Sequence, residues 1–379
     1  FRSGGMIPFN KPTFLGTEPQ FMLDAIHRGQ LSGNGYYTKL CQEFFEKRYD
    51  FQKTLLTTSC TAALEMCAML CDIHAGDEVI MPSYTFPSMA NAFALRGAKI
   101  IFVDCNKNIP NIDSNLIEDA ITPRTRAVVI VHYGGYACDM DNIMRIVNTH
   151  NLFLIEDCAH SIDSYFNNTP LGSFGHFAAF SFHETKNITC GEGGMLVIND
   201  MNFINKAEII WEKGTSRVAF RRGDIDKYNW VGLGSSYVLS ELNAAYLYAQ
   251  LMSLNEIQNN RIQSWNLYFE LLQMPEFQNH ILLPKFDDGI TINGNQFHLL
   301  ISDEKHLQKL IDYLLHSKIL ALTHYEPLHS SPFGRVETIS GELIHTDYIS
   351  KHLIRLPLFY NISAVTIREI CKLIRGYFK

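Results

Sequence analysis

The chain has 379 residues, 46% hydrophobic and 19% charged, with 24 glycines and 13 prolines, which excludes a disordered chain or a single small binding module. Net charge is -7 without blocks of like charge, so nucleic-acid and anionic-lipid surfaces are not expected; RVAFRRGDIDK at 217–227 is the densest basic stretch and also holds two aspartates. Nine cysteines without paired spacing point away from disulfides and metal and toward a reducing cytoplasm, and no apolar run reaches the ~18 residues of a membrane span.

In chain order, Phe1 to Gly5 before Met6 reads as an added leader and is set aside from the fold. From about residue 55 to 200, seven short apolar runs alternate with helix-length segments: TLLTT, DEVIMP, KIIFVD, AVVIVHY, LFLIED, FAAFSF and MLVIN. Runs apolar on both faces predict a largely parallel sheet covered by helices, with ligands at the carboxyl ends of its strands. After about residue 245 a long helical pattern, LMSLNEIQNNRIQSWNLYFELLQ, leads into the strand candidates HILLP and FHLLIS and a terminal helix, IREICKLIRGYF. This predicts a large domain over 6–245 and a smaller α+β domain over 246–379.

Chemistry-bearing residues gather at three predicted strand ends. TTSCTAALEM places small hydroxyl residues at a helix start, which suits an anion or serves as a plain N-cap. LFLI runs into Glu156 and Asp157, acids too costly to bury unpaired; Asp157 either holds a protonated ring nitrogen or caps the next helix. FAAFSF delivers Ser181, His183 and Lys186, and a lysine there is either a solvated side chain or an imine-forming amine. Anion cradle, carboxylate and lysine together are what pyridoxal 5'-phosphate (PLP) requires.

The stretches SCTAALEM, PSYTF, FVD, EDCAHS, SFHETKN, GEGGMLVIND and SSYVLSELNAAYLYAQL, in this order, resemble the DegT/DnrJ/EryC1/StrS sugar-nucleotide aminotransferases. The resemblance covers the chain from Met6 and implies the type I PLP-dependent aminotransferase fold: α/β, a mostly parallel seven-stranded sheet with helices on both faces, and a smaller C-terminal domain. It also implies a homodimer with shared active sites. IPFNKP, VHYGGYACDMD, HYEPLH and IRLPLFYN narrow the likeness to members that aminate dTDP-4-oxo-6-deoxy-D-glucose from L-glutamate for enterobacterial common antigen. The gluco epimer, a 3-oxo sugar substrate, or a non-catalytic PLP-binding protein are the alternatives; the family's dehydratase branch carries histidine where this chain has Lys186.

Carried over by residue, the resemblance makes Lys186 the cofactor lysine and later base, and Asp157 the partner of the ring nitrogen. Cys60, Thr61 and Ser181 fall at the phosphate, Phe86 on the ring face, and His160 near the ring oxygen. His183, Arg221, Arg222, Lys227, His324, Tyr325 and His329 are the substrate-side candidates. The sequence departs from the family pattern at Ser236, in GSSYV, where relatives use an asparagine that reaches the partner's phosphate. It departs again at Asn295, where relatives often have histidine.

Overall fold

The structure is a computed structural model that describes residues 5–379; the leader expected over 1–5 lies, apart from Gly5, outside the described residues. The seven expected runs become strands Lys53–Thr57 (β1), Glu78–Pro82 (β2), Lys99–Val103 (β3), Thr125–Val131 (β4), Phe153–Asp157 (β5), Phe177–Ser181 (β6) and Gly194–Ile198 (β7). The C-terminal part adds Ile281–Leu282 (β8), Phe297–Ile301 (β9), Thr338–Ser340 (β10) and Leu353–Leu356 (β11).

The large sheet runs in the order β1, β7, β6, β5, β4, β2, β3, β10, and β7 alone opposes the direction of the rest. The expected seven strands therefore pair in one sheet, and an eighth, β10, joins the edge from far along the chain. TIS is too short and too exposed for its periodicity to announce a strand; it forms because β3 offers an unpaired edge.

Alternation explains the two covered faces. Leu56, Ile80, Val128, Ile130, Leu154 and Phe180 point into one core with Ile143 and Ile146 of helix Met140–Thr149. Leu55, Val79, Val129, Ile155 and Phe177 point into another with Leu64, Cys67 and Ala68 of helix Cys60–Leu70. Strands buried on both faces have no polar face to show, which is why they read as unbroken apolar runs. Fold type I is the architecture present, a largely parallel sheet between helical layers.

Beyond the sheet, the long helical pattern that starts at Leu251 becomes helix Leu254–Leu272, set off by Met252–Ser253 from helix Glu241–Leu251 before it. A separate antiparallel sheet, β8, β9, β11, packs its own core of Trp265, Tyr268, Phe297, Leu299, Ile354 and Leu356 with the terminal helix Ala364–Tyr377.

Gly194 shows how closely the elements meet. A Cβ there would lie 2.3 Å from the Ser59 carbonyl carbon and 2.4 Å from the Cys60 nitrogen, so β7 touches the start of helix Cys60–Leu70 only as glycine. Gly194→Ala is expected to cost about 1–3 kcal/mol by forcing that strand and helix apart, measured as a lower urea midpoint. A wild-type midpoint would contradict this packing.

Candidate functional site

All sheet strands but β7 share one direction, so the ends of β1, β2, β4, β5 and β6 open on one edge. There a cavity of ≈ 720 Å³ brings together Cys60, Thr61, Phe86, Asp157, His160, Ser181, His183, Lys186, His324 and Tyr325, ten of the residues singled out from sequence.

At its anion-friendly end, Ser59 caps helix Cys60–Leu70 by accepting from the Ala62 N–H at 3.0 Å. That leaves the first N–H groups of the helix, at Cys60 and Thr61, without intrahelical acceptors. The Thr61 and Ser88 hydroxyls share a hydrogen bond of 2.7 Å on the same wall.

Asp157 ends β5, 5% exposed, and accepts one hydrogen bond from the Ala159 N–H at 2.9 Å. Burial pushes its carboxyl up from the usual range, while the Ala159 N–H and then the Lys186 and His132 charges pull it back. Glu156, fully buried, points the other way: it accepts from the Gly172, Phe174 and Gly175 N–H groups and pairs with the His132 ring at 3.0 Å.

Lys186 sits in a closed connection between β6 and β7. The Phe182 N–H donates to Gly193, the Cys190 N–H to Phe182, and the Lys186 N–H to His183 at 3.0 Å. The next residue anchors it: buried Asn187 donates to Gln258 Oε1 and the Asn293 carbonyl and accepts from Asn295 Nδ2 at 2.8 Å. Asn295, the departure noted in the sequence, thus ties down the lysine loop while lining the cavity. Burial holds the Lys186 ammonium below its ordinary pKa; Cys60 and Asp157 oppose the shift and Arg355 adds to it.

Neutral aromatic groups form the facing wall. His160 is buried, and its Nδ1 accepts from the Gly134 N–H at 3.1 Å. Burial, then the Lys186 and Arg355 charges, keep it well below the ordinary histidine pKa. His324 is lowered by burial and by Arg355, and its Nδ1 shares a hydrogen bond of 2.6 Å with the Tyr133 hydroxyl. Tyr325 stacks on His324 at 3.6 Å and approaches the ring of Phe86, itself 58% exposed, at 6.3 Å.

Five sequence candidates lie outside this lining. His329 bonds Ser83 Oγ at 2.8 Å and Asp347 at 3.3 Å, tying its turn to the residue after β2 and to helix Ile344–His352. Arg221 pairs with Glu212 at 3.6 Å and Arg222 with Glu208 at 2.6 Å, so acids adjacent in space claim both. Lys227 and Ser236 are exposed. Sequence reading passed over Phe9, Asn10, Ser88, Gln296 and Arg355, all on the cavity wall. Arg355 did leave a signal, as the one charge inside the apolar run LIRLPLF.

The model of the DegT/DnrJ/EryC1/StrS aminotransferase family matches residues 16–375. The chain is 31% identical, over 98% of its length and 97% of the relative's, to the spore coat polysaccharide biosynthesis protein SpsC of Bacillus subtilis. Among solved structures it resembles aminotransferase TlmJ of Streptoalloteichus hindustanus, at TM-score 0.90 and 24% identity over 98% of both chains. It also resembles Helicobacter pylori PseC, an aminotransferase of pseudoaminic acid biosynthesis, at TM-score 0.90 and 22% identity over 98% of this chain and 99% of that one.

That family works with PLP, and the cavity suits such a group: free helix N–H groups and hydroxyls at one end, a buried carboxylate and a lysine at the other. Because the Asp157 pKa is raised, its ionisation weakens the cofactor-free fold; the cost is absent in acid, grows as pH rises from the ordinary aspartate pKa toward the raised one, and is complete above it. Cofactor-free Asp157→Asn should therefore melt at or above wild type, with the gap widening from about pH 4 to 7. Adding PLP should reverse that order, since only the carboxylate meets a cation. Thermal melts at several pH values check this, and an Asn variant that gains as much from PLP as wild type refutes it.

Proposed function

The chain belongs to the DegT/DnrJ/EryC1/StrS sugar aminotransferase family, and we propose that it moves the amino group of L-glutamate onto dTDP-4-oxo-6-deoxy-D-glucose. The products are dTDP-4-amino-4,6-dideoxy-D-galactose and 2-oxoglutarate, and the setting is cytoplasmic synthesis of a surface glycan of the enterobacterial common antigen type. The observation that carries the reading is Lys186 beside buried Asp157 in one strand-end cavity. IPFNKP, HYEPLH and IRLPLFYN support the choice of sugar.

When bound, PLP supplies an electron sink and a carrier for the amino group. The residues of the chain divide the remaining work. Cys60 and Thr61 hold the phosphate through backbone N–H and hydroxyl, with Ser181 adding a hydroxyl. Asp157 keeps a proton on the ring nitrogen, a task that suits a carboxylate in need of a cation. Phe86 would pack against the ring of the bound group, and His160 would stand on its polar edge. Lys186, its pKa lowered by burial, reaches the neutral amine form readily and moves the proton at the donor's α-carbon through Nζ. His324 and Tyr325 shape the sugar side, with His183 at the rim, where its Nε2 is 3.6 Å from Glu192.

We also propose a homodimer with shared sites. Ser236 and the exposed Trp230, Val231 and Leu233 belong to one segment with apolar surface to cover. Arg221, Arg222 and Lys227 belong to the same region, and a role for either arginine at a neighbour's diphosphate requires its glutamate pair to open.

Proton NMR of the product from dTDP-4-oxo-6-deoxy-D-glucose and L-glutamate tests the reading. A small coupling between the sugar protons at C3 and C4 is expected, reporting an axial amine. A large coupling means the gluco epimer, and no amino sugar at all points to a 3-oxo substrate. Lys186→Ala is expected to abolish turnover, a loss of at least about 1,000-fold. A yellow protein that does not bleach with L-glutamate favours a non-catalytic binder.

A further inference from the structure

Two basic side chains line the cavity, Lys186 and Arg355, and only the guanidinium keeps its charge at every working pH. Arg355 lies on β11 directly opposite His298 of β9. Its Nε and one terminal nitrogen donate to the Thr323 carbonyl at 3.2 and 2.9 Å, and its guanidinium lies 4.6 Å from the Phe9 ring centre. These contacts fix the plane of the group and leave Nη1 without an acceptor. Among the described residues no carboxylate comes within ion-pair distance of it, whereas Arg48, Arg124, Arg221 and Arg222 each have one.

A second unmet donor is close by. Gln296 precedes β9 and lies diagonal to Arg355 across the ladder; it is 6% exposed, lines the cavity, and its amide nitrogen makes no hydrogen bond of ordinary geometry, though the Tyr133 hydroxyl lies near it. A fixed guanidinium fork and a buried amide N–H call for a ligand with paired acceptor oxygens and negative charge, the chemistry of a carboxylate.

We infer that Arg355, with the Gln296 amide beside it, binds a carboxylate of the amino donor. The inference rests on the transaminase reading above and adds the subsite that reading lacks. The diphosphate of a sugar nucleotide is the competing anion, and covalent distance separates the two. In an α-amino acid the carboxylate is two bonds from the reacting nitrogen, so its receptor must stand close to Lys186. In the sugar nucleotide the phosphates hang from C1, across the ring from the reacting C4. Arg355 is held at the Thr323 carbonyl, one residue before His324, whose ring stacks with His160 at 6.1 Å on the wall shared with Lys186, which puts the guanidinium at the reacting end of the cavity.

Glutarate, a dicarboxylate with no amino group to react, is the probe. Calorimetric titration into PLP-loaded enzyme should show Arg355→Met binding it about 10- to 100-fold more weakly than wild type, with dTDP affinity within about twofold. Bleaching by L-glutamate should slow in proportion, while the reverse half-reaction with the amino sugar nucleotide keeps its rate. Arg355→Lys, which keeps the charge without the fork, should fall between, and it carries the test if the methionine variant fails to fold. Unchanged glutarate affinity overturns the inference, as does a dTDP affinity that falls in step, and either leaves the transaminase reading standing. A wild-type enzyme that accepts no amino acid overturns both.

Discussion

A carboxylate and an ammonium at the dry end of a parallel sheet set the terms for the rest of this molecule. Asp157 is buried with a single hydrogen bond from the chain, and burial pushes its charge state and that of Lys186 toward neutrality. Neither group is settled by the protein alone, and a structure built for stability would not leave them so. Their positions follow from topology, because a common strand direction brings β5 and β6 out on one edge. The reversed strand β7 then returns the chain behind the lysine, and glycine at 194 lets it pass against the helix at Cys60.

The adjacent acid shows how the same strand treats a charge it has no task for. Glu156 points to the opposite face and is met by three backbone N–H groups and the His132 ring. His132, Glu156 and Cys158 come within 4.8 Å of one another, a spacing that also suits a metal. The oxygens of Glu156 are already taken, Oε1 by Phe174 and Gly175 and Oε2 by Gly172 and the His132 ring, so the group reads as a hydrogen-bonded pin fixing the β5 end. The alternation of a strand thus separates a satisfied acid from an unsatisfied one a residue away.

How much of this was legible in the sequence follows from which signals are local. Asp157 ends an apolar run and Cys60 and Lys186 follow the ends of two others, and a run buried on both faces announces its own end, so strand order and edge fix where their side chains gather. Arg221 and Arg222 are paired in a way no local pattern announces, since nothing in their own stretch shows that Glu212 and Glu208 sit beside them. His329 likewise bonds Ser83, 246 positions away. Strand β10 has three residues and exists through an edge supplied by β3. Arg355 was inside a quoted motif, yet its meaning depends on a negative fact, the want of any nearby carboxylate, and only assembled coordinates express that.

A ping-pong enzyme must admit two unlike substrates to one space, an amino acid with its carboxylates and a sugar whose reacting end is uncharged. The cavity wall answers this with neutral groups. His160 and His324 are held deprotonated by burial, and Tyr325 is held protonated in the same way, so none presents charge to the sugar. The fixed positive charge is Arg355, gripped at the Thr323 carbonyl and Phe9, while burial moves Lys186 toward the neutral amine. Were the histidines charged, they would attract carboxylates all along the wall and blur the orientation of both substrates. On the proposed reading, burial of imidazoles would act as a specificity device as much as a packing one, leaving one fixed cation for the acid and an uncharged surface for the sugar.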